Sequence, residues 1–244
     1  MFARKKWTTP AGAYPSIYGD MLDQPHLLIA GATGSGKSVV INGIIYAAMY
    51  DAPSQKRFIL IDPKKVELAE YSALPHTELY ASEPRAMLCA LKRALEICTI
   101  RYADMQRRHL RMYDGSDLYV VIDELADLLT VDDIKRPCKA TIQRLCQIGR
   151  AARVHVIGAT QRPTGDVIGN AITCNMDARV ALHTRNKQES RNIMGLTGCE
   201  ALPRYGYGYY LKPEGSTLYR IPMIPDADRA RIIAHWTRRR AFCR

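Results

Sequence analysis

A chain of 244 residues, 47% of them hydrophobic, is long enough to bury one substantial core and falls where α/β architectures run as a single domain. Its 35 Lys and Arg against 24 Asp and Glu give a net charge of +11, which suits a polyanion partner: a nucleic acid, the ribosome or a membrane surface. The apolar runs at 27–31 and 39–49 are too short to span a bilayer, and MFARKKWTTPAG has no apolar stretch after its basic start, so neither a membrane segment nor a secretory signal is expected, and the expected location is the cytoplasm. Seven cysteines with no CxxC pair argue against a disulfide framework or a structural metal and for reduced thiols.

Along the chain, short runs rich in β-branched and aromatic residues alternate with helix-period stretches, the pattern of βαβ units around a mostly parallel sheet. Strands are expected at His26–Ala30, Arg57–Ile61, Leu118–Ile122, Val154–Ala159 and Arg179–His183. A helix with Ser82 as candidate N-cap and Pro84 in its first turn carries Leu88, Leu91, Leu95, Cys98, Tyr102 and Met105 at three- and four-residue steps, a core-packing stripe. A second helix is expected over roughly Ile134–Ala152, and a small strand pair, YGYGYYL and TLYRI, around a turn at Pro213–Ser216.

GATGSGKS, from Gly31 to Ser38, fits the phosphate-binding pattern G-x-x-x-x-G-K-S between a strand and an apolar helix. The backbone of Gly31, Ala32, Thr33, Gly34, Ser35, Gly36, Lys37, Ser38 and Val39 is expected to wrap the phosphates of ATP. The glycines permit that close approach, and the helix N-terminus adds a favourable dipole. Lys37 is expected to reach the β- and γ-phosphates, and the Ser38 hydroxyl to ligate Mg²⁺. The strand LYVVIDE then places Asp123 at a carboxyl end, positioned to hold Mg²⁺, with Glu124 beside it to polarise a water for in-line attack. A third strand ends in Thr160, Gln161 and Arg162. Gln161 is positioned either to sense the γ-phosphate or to cap a helix after Pro163.

The blocks PHLLIAGATGSGKSVVIN, FILIDPKKVELAEY, VVIDELADLL, QIGRAARVHVIGATQRP and DVI, in this order, closely resemble the motor domain of the FtsK/SpoIIIE DNA translocases. The resemblance covers about residues 16–222. It implies a RecA-like P-loop NTPase, with a mostly parallel central sheet flanked by helices, that works as a ring-shaped homo-oligomer, usually a hexamer, with ATP between subunits and double-stranded DNA in the channel. It further implies that Arg150, with Arg153 as the near alternative, reaches the neighbouring subunit's γ-phosphate. Arg162, Lys187 and Arg191 would contact DNA phosphates. The implied organisation is an N-terminal extension over 1–15, a motor domain over 16–236 and a basic tail over 237–244, expected to be frayed and solvated. The implied function is ATP-driven DNA translocation. A conjugative coupling or packaging ATPase, or a type VII-like protein-secretion ATPase, is the alternative on the same core.

Overall fold

A strand buried at every position forms only where both faces of the sheet are covered. Leu27–Ala30 (β1), Asp117–Ile122 (β4) and Val154–Thr160 (β5) meet that condition in the computed structural model, which describes residues 23–50, 53–165, 167 and 175–242. With Lys56–Ile61 (β2), Thr77–Ala81 (β3), Ala178–Leu182 (β6), Tyr207–Lys212 (β7) and Gly215–Arg220 (β8) they build one sheet in the order β3-β2-β4-β5-β1-β6-β7-β8. The six strands from β3 to β6 pair in parallel, and β7 and β8 continue the sheet antiparallel.

The helices are Lys37–Tyr50 (α1), Pro84–Arg107 (α2), Leu125–Thr130 (α3), Asp132–Ile148 (α4), Lys187–Met194 (α5) and Asp226–Phe242 (α6). Successive strand residues point to opposite faces, so Leu28, Ile59, Val120 and Val156 bury against α2, α3 and α4, while Ile29, Leu60, Val121 and Ile157 bury against α1 and its neighbour α6. The α/β architecture with a mostly parallel, helix-flanked sheet is therefore as the sequence implied. The five expected strands lie within one residue of the observed ends.

Several details differ. The strand pair β7–β8 is the far edge of the main sheet, joined to it by β6–β7 pairing, and its turn is two residues long. The edge strand β3 was not anticipated. It is short and only partly buried, so its side chains give no strong alternation. Glu83, not Ser82, is the N-cap of α2, and Pro84 occupies the first turn as expected. The buried face of α2 is rotated from the expected stripe: Met87, Ala90, Leu91, Ala94, Cys98, Arg101 and Met105 face inward, because alanines let the helix approach the sheet closely, while Tyr102 reaches the surface. The second long helix stops at Ile148, four residues early. There the chain must turn into β5, and a Cβ on Gly149 would stand 2.3 Å from the Val154 carbonyl oxygen.

The expected motor–tail boundary at 236/237 falls inside α6, which continues to Phe242. Ahead of that boundary the helix is docked by Trp236, whose ring meets His76 edge-on at 5.0 Å, and by an Arg229–Glu70 ion pair of 2.6 Å. Cys98, Cys138, Cys146 and Cys199 are buried free thiols and Cys89 is exposed. Among the described residues no helix is long and apolar enough to cross a membrane. The expected extension 1–15 lies outside the described residues.

At the amino edge of the sheet, Asp117 is buried and bonded by Lys56 at 2.6 Å, Arg153 at 2.6 and 3.0 Å, and His155 at 3.2 Å. Burial pushes its carboxyl up, but the bonds from His155, Arg153 and Lys56 outweigh that and hold it far below the usual carboxylate range. Removing the anion would strand two cations in a half-buried site. Asp117→Asn is therefore expected to destabilise the chain by about 3–5 kcal/mol in urea denaturation at pH 7. The lowered pKa makes this stabilisation fully present above the unfolded value of 3.8 and lost as the pH falls below it, so the gap between variant and parent should close in acid.

Candidate nucleotide-binding site

Because β1, β2, β4, β5 and β6 run parallel, their carboxyl ends share one edge of the sheet, and every motif at a strand end meets there. The loop after β1 is wedged between its two neighbours. Gly31 N–H donates to Thr160 O (3.3 Å) at the end of β5, and Ala32 N–H donates to His183 O (2.8 Å) just past β6. A side chain at Gly31 would meet Leu182 Cβ and Ser35 Oγ at 2.7 Å. Gly34 (φ 74°) and Gly36 (φ 103°) take left-handed backbone, which lets the loop coil back before α1 begins at Lys37. The result is a helix N-terminus whose first N–H groups have no intrahelical acceptor and face the mouth of the loop, with Ser38 and Val39 in the first turn.

Lys37 is buried, and its ammonium donates to Gly31 O (3.1 Å) and Ala32 O (2.9 Å). Burial lowers its pKa to about 8, against the pull of Glu124 and Asp123. Asp123, held by its N–H on Ile61 O (3.0 Å), is raised to about 6, first by burial and then by Asp62, Glu67 and Glu124. The signs are complementary. Below pH 8 the charged Lys37 costs folding free energy, and above pH 6 the charged Asp123 does, so near pH 7 both ions sit in unfavourable surroundings. A phosphate against Lys37 and a divalent cation against Asp123, with the Ser38 hydroxyl close by in sequence, would relieve both costs. The loop, the amine and the carboxylate fit a metal–nucleotide complex.

Glu124 is not a free carboxylate. It caps α3 by accepting from Ala126 N–H (3.3 Å), and it also accepts from the Thr160 hydroxyl (2.8 Å) and from Gln161 N–H (3.1 and 3.0 Å), with the Lys64 ammonium 3.9 Å away. Gln161 in turn accepts from the Thr33 hydroxyl through its side-chain oxygen (2.7 Å), so β4, β5 and the β1 loop are laced together through one carboxylate and one amide. This places the Gln161 side chain on the phosphate loop, while most of the stretch after Pro163, where the helix it was otherwise expected to cap would begin, lies outside the described residues. A cleft of about 370 Å³ opens between Thr33, Glu124, Gln161 and Arg162.

Three basic residues at this edge had no place in the sequence reading. Lys64 and Arg185 line that cleft, and the Arg204 guanidinium lies 3.6 Å from where a Cβ on Gly34 would be. Arg185 is oriented by the buried Glu189 (Nε to Oε1, 2.8 Å). Lys64 falls in the block FILIDPKKVELAEY, beside the strand end Asp62, and Arg185 stands just before α5. Arg204 lies in no motif, and only the folding of the β6–β7 connection brings it to the loop.

The other candidates separate cleanly. Arg150 is exposed in the turn between α4 and β5, at the amino end of a seven-residue strand whose carboxyl end holds Thr160, so roughly 20 Å of β5 lies between it and its own phosphate loop. Arg153, its alternative, is paired with the buried Asp117. Lys187 and Arg191 are exposed, four residues apart and therefore on one face of α5. Asn192 of the same helix donates to Pro163 O (2.8 Å), which sets α5 beside the segment after β5. Arg162 is exposed and lines the cleft with Glu124. Most of the stretch after Thr164, including the expected DVI block in part, lies outside the described residues.

A model of the FtsK/SpoIIIE family matches residues 15–118 and 114–165. The DNA translocase FtsK of Rhizobium meliloti (strain 1021) is 32% identical over 266 residues, which cover 90% of this chain and 30% of that relative. The DNA translocase FtsK of Caldanaerobacter subterraneus is 39% identical over 198 residues, covering 76% of this chain and 28% of the relative. The chain thus spans about three tenths of the length of the curated relatives it matches. Among solved structures, the pCW3 conjugation coupling protein TcpA in its monomer form with ATPγS superposes with a TM-score of 0.80 at 22% identity, covering 91% of this chain and 67% of that one. The cytoplasmic domain of the Thermomonospora curvata type VII secretion ATPase EccC gives 0.71 at 21% identity, over 87% and 28%. At such identities these two establish a shared fold. With its family model matched over more than half its length and its phosphate loop, Asp123–Glu124 pair and Gln161 gathered at one sheet edge, the chain belongs to the FtsK/SpoIIIE family.

Proposed function

We propose that this chain is an ATPase motor that drives double-stranded DNA through a ring of identical subunits, usually six, with each active site completed by Arg150 of the adjacent subunit. The observation that carries the reading is the split between the two edges of the sheet. The phosphate loop, Asp123, Glu124 and Gln161 occupy the carboxyl edge, while the exposed Arg150 stands at the opposite end of β5 and has no route to its own site. Relatives at 32–39% identity are named DNA translocases, and the coupling and secretion ATPases lie at 23% or below, which favours DNA over a peptide client.

In this reading Lys37 leaves its two loop carbonyls to neutralise the β- and γ-phosphates. Ser38 and Asp123 hold Mg²⁺, which when bound spreads the charge of the transferring phosphoryl group. Glu124 orients and polarises the attacking water, its carboxylate already fixed by Thr160 and Gln161 N–H. Gln161 reports γ-phosphate occupancy from its bond with Thr33. Arg150 supplies a cation from outside the subunit, so hydrolysis requires assembly. Lys187 and Arg191 on one face of α5, with Arg162 near its base, contact DNA phosphates.

The decisive experiment is the ATPase rate of the assembled protein with and without linear duplex DNA. Stimulation by DNA supports the motor, and a DNA-indifferent rate in a protein that binds no duplex would overturn it.

Lys37→Ala is expected to lose nucleotide binding and turnover together. Glu124→Gln retains an oxygen acceptor for Ala126 and Gln161 N–H, so it should bind ATP with near-normal affinity and turn over at least about 100-fold more slowly. Equilibrium binding beside steady-state turnover separates the two, and wild-type turnover in Glu124→Gln would place the base elsewhere.

Duplex affinity should fall steeply with salt and vary little with sequence. Removing Lys187 and Arg191 together should reduce the slope of log K against log salt by about 2. A slope unchanged in the double variant would remove α5 from the interface.

Arg150→Ala should bind ATP in its own pocket, assemble, and turn over slowly, since a cation supplied in trans contributes about 10³- to 10⁵-fold. Mixed with Glu124→Gln subunits it should recover part of the rate, because some interfaces then join an intact Glu124 to an intact Arg150. Verified mixed rings with no recovery would rule out the trans role.

A further inference from the structure

The turn that presents Arg150 is held at six consecutive carbonyls. The Tyr102 hydroxyl donates to Ile148 O (3.0 Å), Val154 N–H to Gly149 O (2.9 Å), Arg153 N–H to Arg150 O (3.1 Å) and Tyr113 N–H to Ala151 O (2.8 Å). Arg101 Nη1 donates to both Ala152 O (2.8 Å) and Arg153 O (3.0 Å). Arg153 itself sits in left-handed backbone (φ 53°), its guanidinium turned inward onto Asp117. A loop exposed to solvent ordinarily leaves such carbonyls to water. Here four of the six are taken by groups on α2 and the segment that follows it, so the turn is fixed to a separate element of the fold.

Arg101 is the unusual member. It is buried at 7% exposure, its guanidinium lies 4.5 Å from the Tyr113 ring, and its remaining hydrogen bond among the described residues is a long one to Ser116 Oγ (3.5 Å). Desolvation lowers its pKa against the pull of Asp117 and Glu78, and among the described residues no carboxylate hydrogen-bonds it. An apolar side chain of similar length would fill the same space without desolvating a charge but would leave the buried Ala152 carbonyl without this donor, so what arginine adds is the bond between α2 and the turn. The two carbonyls it grips flank the far side of the turn whose exposed residue is Arg150.

We infer that Arg101 is a positioning residue for Arg150: by clamping the carbonyls of Ala152 and Arg153 from α2, it holds the turn so that the Arg150 guanidinium projects toward the neighbouring subunit in a preset direction. The inference rests on the trans role of Arg150 proposed above. Preset geometry matters because a charge delivered from another subunit contributes to the transition state only if it arrives without reorganisation, and a misplacement of about 1 Å can cost about 100-fold in rate.

The test uses the full chain assembled on DNA. Arg101→Met is expected to assemble and to bind ATP with unchanged affinity, while its maximal rate falls about 10- to 100-fold and its KM for ATP stays close to that of the parent. Arg101→Lys, which keeps a cation on at least one carbonyl, should recover part of that loss. Combining Arg101→Met with Arg150→Ala should slow the enzyme no further than Arg150→Ala alone, because both remove the same interaction. Mixed with Glu124→Gln subunits, Arg101→Met should regain activity as Arg150→Ala does, since its own pocket is intact and only its outgoing arginine is misdirected. Wild-type turnover in Arg101→Met overturns the inference. So does failure of Arg101→Met to recover on mixing under conditions where Arg150→Ala does, which would mark Arg101 as general packing. If Arg101→Met does not assemble, the same mixing experiment is read on Arg101→Lys: a slowed rate that mixing restores supports the brace, and a parental or unrestored rate overturns it. If Arg150→Ala itself turns over at the parental rate, the trans reading fails first, and that outcome is distinct from failure of the brace alone.

Discussion

The placement of β1 between β5 and β6, all three parallel, is the constraint on which the chemistry of this chain depends. Two backbone hydrogen bonds, from Gly31 N–H to Thr160 O and from Ala32 N–H to His183 O, hang the phosphate loop between its neighbours and fix where its amide groups point. Any other order would separate the loop from the ends of β4 and β5, which contribute Asp123, Glu124 and Gln161. The sheet is apolar on both faces, so the polar groups that an active site needs are forced to its edges.

The two edges then take different characters. At the carboxyl edge a buried ammonium and a buried carboxylate are each held in an unfavourable medium, an arrangement that folding alone would not favour and that a phosphate and a divalent cation would relieve. At the amino edge the charges are satisfied within the fold. Asp117 gathers Lys56, Arg153 and His155, and Arg101 is absorbed by two backbone carbonyls. One edge is prepared to receive a ligand. The other is stiffened by bonds made within the fold.

Helix α2 connects the two. It starts beside the carboxyl end of β3 and runs 24 residues, about 36 Å at 1.5 Å per residue, to the turn that carries Arg150. A helix that starts at the carboxyl edge and is bonded near its other end to the Ile148, Ala152 and Arg153 carbonyls ties the two edges of the sheet through packed, hydrogen-bonded structure.

The sequence by itself determined the strands, the phosphate loop and the acidic pair, because each is written in contiguous residues: an apolar run fixes a buried strand, and three glycines with a lysine and a serine fix a loop that only an anion suits. It also determined that Arg150 and Arg153 were both candidates, but not which. Only the tertiary structure tells the two apart, turning Arg153 inward onto Asp117, 36 positions away, and leaving Arg150 at the surface. It likewise decided that Glu124 is a bonded hub, that Arg204 stands against Gly34, and that Arg101 faces the core on the same side of α2 as Ala94, Cys98 and Met105. The physical reason is common to all four. Each depends on a partner distant in the chain, and the sign of an arginine's contribution, solvated charge or buried clamp, is set by what the fold places opposite it and not by its neighbours in sequence.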